Sequence, residues 1–193
     1  TINPHISVDC VIFGFSKDQL KVLLIERNYI KENGVSWKDH KLPGDLITIG
    51  EDLDLAAHRT LQELTGLGDI FLRQFAVFGK PERMSRKLDV DWLSHSKGVP
   101  IQRVVTSAYY ALINIGESNR EFAIMNHARW ISIDQIPDLA FDHREIIDAG
   151  LEHLRLSLRN EPIGFELLPE KFTIRELQRL YEAILDCTLD NRN

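Results

Sequence analysis

Three charged residues, Glu51, Arg59 and Glu63, are spaced so that one helix would bring them together. Glu63 follows Arg59 by four residues and shares its helical face, and Glu51 lies just before the helix predicted from Asp52 to Thr65. Carboxylates so placed could bind Mg²⁺, which needs several oxygen ligands and can neutralise charge as a diphosphate is split. The structural alternative is an ion pair between Arg59 and Glu63, with Glu51 favourably placed at the positive end of the helix dipole.

The segment from Lys41 to Leu67 carries a longer pattern, KLPGDLITIGEDLDLAAHRTLQELTGL. It resembles the Nudix box, G-x5-E-x7-R-E-U-x-E-E-x-G-U, in which U is an aliphatic residue. Glu51, Arg59 and Gly66 match at this spacing, and Asp45 stands where the first glycine belongs. The resemblance implies an α/β protein with a Nudix-like α/β/α sandwich around a mixed sheet.

Catalysis is not expected from this helix, although the family is one of hydrolases. The resemblance places the family's three metal-binding glutamates at Thr60, Glu63 and Leu64, so one acid remains. At about 100° per residue, Thr60 and Leu64 lie near the centre of an apolar stripe that is suited to packing. We therefore expect no catalytic residue, no metal and no cofactor, and we expect that the chain is not an enzyme.

Composition and charge favour a cytoplasmic globular protein. The 193 residues carry a net charge of −6 with a pI of about 5.6, which gives no general preference for nucleic acid. No apolar run approaches the roughly 20 residues of a membrane helix, and the N-terminus lacks the features of a secretory signal. The two cysteines are too few for a disulfide framework. We expect a cytoplasmic location and no membrane partner.

The first part of the chain is predicted to form most of the sheet. SVDCVIFGF and LKVLLIER predict an antiparallel hairpin, and IFLRQFAVFG, RVVTSAYYALI and HARWISI predict further strands. The long charged segment 80–100 is predicted to be a mobile loop. Residues 1–140 are assigned to a ligand-sensing domain.

The last third is predicted to be helical. Asp142 and Glu145 form an Asp-x-x-Glu capping box, and residues 141–160 are assigned to a connecting helix. Thr173, with Glu176 three residues later, begins a second amphipathic helix, and LDNRN is expected to start a third. Helix, turn and second helix indicate a helix–turn–helix, so residues 161–193 are assigned to the start of an incomplete winged helix–turn–helix module.

Several stretches are similar to those of the Nudix-related transcriptional regulators: QFAVFG, VTSAYYALI, LAFDH and LPEKFT. The resemblance covers essentially the whole chain. It implies a bacterial repressor in which an inactive Nudix-like domain senses a small effector and a winged helix–turn–helix binds operator DNA, with the protein acting as a homodimer.

The effector remains open between two branches of this family. One branch senses ADP-ribose and controls NAD metabolism, whereas the other, in Bacteroides-like bacteria, senses L-arabinose. Because loss of the acids suits a neutral sugar better than a metal-bound diphosphate, we expect L-arabinose, with ADP-ribose as the alternative. A divergent Mg²⁺-dependent Nudix hydrolase, with ligands recruited from Glu82, Asp89 or Asp91, is a further alternative.

The resemblance also indicates where ligands would bind. The effector is expected against the sheet, the Leu-Pro-Gly loop and the following helix, with an aromatic ring from Trp37, Phe78 or Tyr109. The candidate ligand-binding residues are Arg27, Lys41, Gly44, Asp45, Glu51 and His143. The candidate DNA-binding residues are Arg175, Asn191 and Arg192, although residues 161–193 hold seven acidic and four basic side chains.

Overall fold

The computed structural model describes residues 1–30, 34, 36–68 and 70–189, which form a seven-stranded sheet and five α-helices. The strands are β1 Ile2–Ser16, β2 Gln19–Ile30, β3 Ser36–Lys41, β4 Gly44–Thr48, β5 Arg73–Phe78, β6 Val105–Asn114 and β7 Ala128–Ser132. The helices are α1 Leu53–Thr65, α2 Lys87–Lys97, α3 Glu117–Met125, α4 His143–Asn160 and α5 Ile174–Leu185. Among these helices none is long and apolar enough to cross a membrane.

The sheet is mixed, as the sequence predicts. Its main order is β3-β2-β1-β6-β5, with β4 paired to β1 and β7 paired to β2. The pair β1 and β6 is parallel and the others are antiparallel. The predicted hairpin is confirmed: Ser16 lies opposite Gln19, and Lys17 and Asp18 between them both have positive φ angles, as a tight two-residue hairpin turn requires.

Helices cover both faces of the sheet, which confirms the expected sandwich. On one face, α1 buries Ala56, Ala57 and Leu61 against strand residues. On the other face, α4 and α5 contribute to one core with the hairpin strands, and their buried residues include Ile146, Ile147, Leu154, Leu180 and Ile184. Both faces of the sheet are therefore covered by helices.

The caps of α1 and α5 agree with the sequence. Asp52 accepts a hydrogen bond from the backbone N–H of Leu55, and Gly66 ends α1 with a φ of 73°. At α5, Thr173 and Glu176 form the reciprocal capping box.

The capping box predicted at Asp142 is wrong. Asp142 does precede α4, but its carboxylate makes no cap hydrogen bond and accepts from Arg83 instead. Glu145 pairs with Lys80. Both acids are therefore used to tie α4 to the segment between β5 and β6, which the pattern of a local capping box cannot reveal.

The mobile loop predicted at 80–100 is also wrong. Residues Pro81–Met84 form a 3-10 turn, and α2 follows over Lys87–Lys97, with Gly98 in the left-handed region at its end. Val90 and Leu93 pack against a third core cluster that contains Leu46 and Ile101. Helix formation here depends on these tertiary contacts, because α2 itself is largely polar.

Candidate ligand-binding site

A cavity of about 320 Å³ opens between α2, the loop between β3 and β4, and the start of α4. Five of the six candidate ligand-binding residues line it: Arg27, Lys41, Gly44, Asp45 and His143. They come from β2, β3, β4 and α4, so the fold brings together residues that are separated by more than one hundred positions. A cavity with apolar walls and a few convergent polar groups is typical of small-molecule sites.

Glu51, the sixth candidate, is not among the lining residues. Its carboxylate accepts from Nε of Arg59 at 2.7 Å and from the backbone N–H of Thr48 at 2.9 Å. The Arg59 hydrogen bond is the largest cause that lowers the pKa of Glu51 to about 2, with the Thr48 bonds adding to it against partial burial. Arg59 also donates to Glu63 at 3.1 Å, which confirms the predicted ion pair.

These contacts do not fit the metal site that the Nudix box implies. Both remaining acids, Glu51 and Glu63, are neutralised by Arg59, and Thr60 is fully buried without a hydrogen-bond partner among the described residues. In the described part of the chain, no group of three His, Cys, Asp or Glu side chains is placed to hold a metal. A hard divalent cation needs more oxygen ligands than this helix offers.

Arg27 connects two acidic residues on different elements at one side of the cavity. Its guanidinium donates to Asp39 at 2.7 and 2.5 Å and to Asp89 at 2.7 Å. It also lies 4.9 Å from the ring centroid of Trp92 and 5.6 Å from that of Phe141. Its third nitrogen, Nη1, is buried and has no acceptor among the described residues. Arg27 therefore fixes α2 over the cavity and retains one unused donor.

Asp9 lines the cavity, and its carboxylate contacts two side chains, His143 and Arg83. The backbone N–H of Leu42 donates to Nδ1 of His143 at 2.9 Å, so Nε2 carries the proton and faces Asp9 at 3.4 Å. Arg83 approaches Asp9 at 3.4 Å and Asp142 at 3.1 Å. Burial alone would raise the pKa of Asp9, but His143 and Arg83 outweigh burial and lower it to about 2. Asp9 is thus ionised at neutral pH.

Lys41 is a buried cation whose charge is only partly compensated. Its Nζ donates to the carbonyl oxygens of Gly44 at 2.9 Å and Leu42 at 3.2 Å, and no carboxylate of the described residues lies within ion-pair distance of it. Burial is the main cause that lowers the pKa of Lys41 to about 8, against the opposing effect of Asp9 and Asp45. An anion in the cavity would stabilise the charged amine.

Asp45 lies at the rim. It forms an ion pair with Lys97 of α2, accepts from the backbone N–H of Leu46 at 2.7 Å, and lies 3.8 Å from Arg59. The position that is glycine in the Nudix box therefore supplies a carboxylate that links α1 to α2.

Three residues of this site lie in the segment that was predicted to be a loop: Arg83 and Trp92 were not predicted from the sequence, and Asp89 was considered only as a possible metal ligand. Arg83, Asp89 and Trp92 contact Asp9 or Arg27 directly. The available signal was the spacing of Val90 and Leu93 before Gly98, which is typical of a short helix with a glycine end.

The aromatic residues that line the cavity differ from those expected from the sequence. Trp92 and Phe141 line the cavity, whereas Trp37, Phe78 and Tyr109 are not among its lining residues. Tyr109 is buried beside α1 and donates to Asp54.

Comparison with known proteins agrees with this architecture. The NUDIX domain family matches residues 3–150, and the NrtR DNA-binding winged helix domain family matches residues 164–193. The chain is 31% identical over 194 residues to the ADPR responsive transcriptional repressor NtrR of Acinetobacter baylyi, covering 98% of this chain and 70% of that protein.

Two solved structures of NrtR from Shewanella oneidensis are also similar. The complex with a 27mer DNA superposes with a TM-score of 0.74 at 27% identity, covering 97% of this chain and 78% of that one. Its NUDIX domain complexed with ADP ribose superposes with a TM-score of 0.55 at 26% identity, covering 78% and 88%. The expectation of L-arabinose as the effector is wrong. The Acinetobacter relative is an ADPR responsive repressor, and the similar Shewanella NUDIX domain was solved in complex with ADP ribose.

Proposed function

Because the chain belongs to the NrtR-type regulators, in which a NUDIX domain precedes a DNA-binding winged helix domain, we propose that it is a cytoplasmic transcriptional repressor whose cavity binds ADP-ribose. Residues 1–140 form the sensing domain in this proposal, residues 141–160 connect it, and residues 161–193 begin the DNA-binding module.

The buried cation Lys41 is the main observation in favour of an anionic ligand. ADP-ribose contains a diphosphate, and an anion placed in the cavity would offset the cost of burying an ammonium group that has only carbonyl partners. Lys97, which pairs with Asp45, adds a second cation to the cavity lining. A neutral pentose offers no charge to either amine.

The remaining parts of ADP-ribose suit the other cavity walls. Trp92, Phe141 and Leu93 provide an apolar surface for the adenine ring, and Asp45, Asn28 and Ser96 provide partners for ribose hydroxyls. No metal is needed for recognition of this kind.

Binding of ADP-ribose is tested by isothermal titration calorimetry with this chain. We expect a saturable signal with ADP-ribose and none with L-arabinose. Lys41→Gln is expected to weaken binding about tenfold or more, since one charge-assisted contact is lost. Lys87→Gln is the matched control, because Lys87 is exposed at the start of α2 and is not among the residues that line the cavity. Equal weakening by both variants would contradict the proposed role of Lys41.

Control of DNA binding requires a separate experiment. We propose that ligand binding shifts a homodimer between geometries that do and do not fit two half-sites of an operator. Arg175, exposed on α5, is proposed to contact DNA, as are Asn191 and Arg192, which lie outside the described residues. Operator retardation by the full-length protein, with and without ADP-ribose, tests this. Unchanged retardation would exclude ADP-ribose as the effector.

Hydrolysis of ADP-ribose is the second candidate function, and the Nudix-box spacing of Glu51, Arg59 and Glu63 is the observation in its favour. We propose that the chain does not hydrolyse ADP-ribose, because Arg59 neutralises both acids. Release of AMP in the presence of Mg²⁺ is the measurement. Turnover that is abolished by Glu63→Gln would establish the hydrolase instead.

A further inference from the structure

A second cavity, of about 470 Å³, lies at the other side of β2, between the hairpin turn, α3 and β7. Cationic groups from separate elements surround it: Lys17 in the turn, Lys21 in β2, Arg120 in α3 and Arg129 in β7. Glu26 is the acid among its described lining residues, and it already pairs with Lys38 at 2.7 Å. The cavity is therefore strongly positive in a chain whose net charge is −6.

Lys17, Lys21 and Arg120 have no ion-pair partner in the part of the chain that the structure describes. No carboxylate of the described residues forms an ion pair with any of them, and Asp18, beside Lys17, pairs with Arg179 of α5 instead. Burial lowers the pKa of Lys21, and repulsion from Lys17 and Arg120 lowers it further. Repulsion among the three positive charges therefore destabilises the protein when no ligand is bound, and a bound anion would reduce this repulsion.

The floor of the cavity is apolar. Ile115, Ala123, Ala128 and the ring of Trp130 form it. The Trp130 ring packs over Gly14, where a Cβ would meet it at 2.7 Å, so its position is fixed. The indole N–H itself is shielded from solvent, so the ring contributes its apolar surface to the cavity.

We propose that this second cavity binds a small organic anion that combines a phosphate group with an aromatic or apolar body. The cationic rim would bind the phosphate, and the apolar floor would contact the body. A concave site with an apolar floor fits a small molecule better than the flat backbone of DNA. This inference goes beyond the proposed function, since it concerns a site separate from the ADP-ribose cavity.

Pyridoxal 5′-phosphate is a suitable probe, because it carries a phosphate, an aromatic ring and an aldehyde. The aldehyde carbon forms an imine with the neutral amine of a lysine and releases water. Borohydride then transfers a hydride to the imine carbon, a proton from solvent completes a secondary amine, and peptide mass spectrometry locates it. We expect about tenfold more label at Lys21 than at the exposed Lys80, as about 1.4 kcal/mol of phosphate recognition would give.

Pyridoxal, which has the same ring and aldehyde without the phosphate, separates recognition from intrinsic amine reactivity. We expect it to lose most of the preference for Lys21. Arg120→Gln should also reduce labelling of Lys21 by the phosphate probe, whereas Arg159→Gln on the exposed end of α4 should not. Equal preference with both probes, or no effect of Arg120→Gln, would overturn the proposal.

Competition distinguishes a small ligand from DNA. p-Nitrophenyl phosphate is expected to protect Lys21, and duplex DNA at the same phosphate concentration is not. Protection by DNA alone would make the patch a DNA surface and overturn the small-ligand site. Titration of the same variants with ADP-ribose reports on the first cavity, so the two proposals fail independently.

Discussion

Asp9 and Gly44 approach each other so closely that position 44 has no room for a side chain. A Cβ on Gly44 would lie 1.9 Å from Oδ1 of Asp9 and 2.9 Å from the carbonyl oxygen of Val8. Asp9 is held by His143 and Arg83 and is buried, so it cannot move away without breaking both contacts. The Leu-Pro-Gly turn is therefore a packing requirement of the cavity floor.

Gly44→Ala is expected to destabilise the protein by about 1–3 kcal/mol, the usual cost of forcing extra volume into a packed site. Urea unfolding followed by circular dichroism measures the change. Gly68→Ala is the control, because a Cβ there meets nothing within 4 Å and the backbone is not left-handed. Equal stability of the two variants would show that Asp9 relaxes freely.

Asp89→Ala is expected to reduce the free energy of unfolding by about 3–5 kcal/mol, because it leaves part of the buried Arg27 guanidinium without its partner. It also removes the acceptor for the backbone N–H of Phe141. Asp91→Ala, at an exposed position of the same helix, should change stability little. If both variants unfold alike, the Arg27 contact does not hold α2 in place.

The pKa of Glu51, about 2 in the folded protein, predicts acid sensitivity. Because this pKa is depressed from 4.5, the Glu51–Arg59 pair contributes stability above about pH 4.5 and loses it as the pH falls through about 2. Glu51→Gln should cost about 1 kcal/mol at pH 6, since the pair is partly open to solvent. The difference from the wild type should vanish near pH 2. A difference that is constant with pH would contradict this account.

Affinity for ADP-ribose is predicted to fall as the pH rises through about 8, the pKa of Lys41. Below that pH the Lys41 amine is already charged before the ligand binds. Above that pH the amine must take up a proton when the ligand binds, so the affinity falls by up to about tenfold per pH unit. Calorimetry between pH 6 and 9.5 tests this. Lys41→Arg, which stays charged, should flatten the profile. The same slope in that variant would assign the titration to another group.

The parts of the fold that sequence reasoning predicted share a local signal. The hairpin turn, the cap at Asp52 and Gly66, and the box at Thr173 depend on residues within a few positions of one another. Helix α2 was missed because its stability depends on partners far along the chain: Asp89 contacts Arg27, sixty-two positions away. The same is true of Asp142, whose carboxylate binds Arg83 rather than its own helix.

The effector was predicted wrongly for a related reason. Because Thr60 and Leu64 stand where the family has metal-binding glutamates, a diphosphate cannot be bound through a metal at these positions. The sequence does not show that other residues could bind the diphosphate without a metal. We propose that the buried Lys41 binds the diphosphate instead. Its positive charge is evident from the sequence, but its burial is evident only from the fold. Five candidate residues nevertheless share one cavity, because the Leu-Pro-Gly loop anchors that part of the sheet.

Glu26 lines both cavities, one on each side of β2. Its carboxylate pairs with Lys38 and lies 3.7 Å from Arg129, a residue that lines the second cavity. A ligand that draws Arg129 away therefore alters the charge presented to the first cavity. If that change in charge altered the affinity for ADP-ribose, thermodynamic reciprocity would require ADP-ribose to change the affinity of the second cavity by the same factor, so that one carboxylate would couple the two sites.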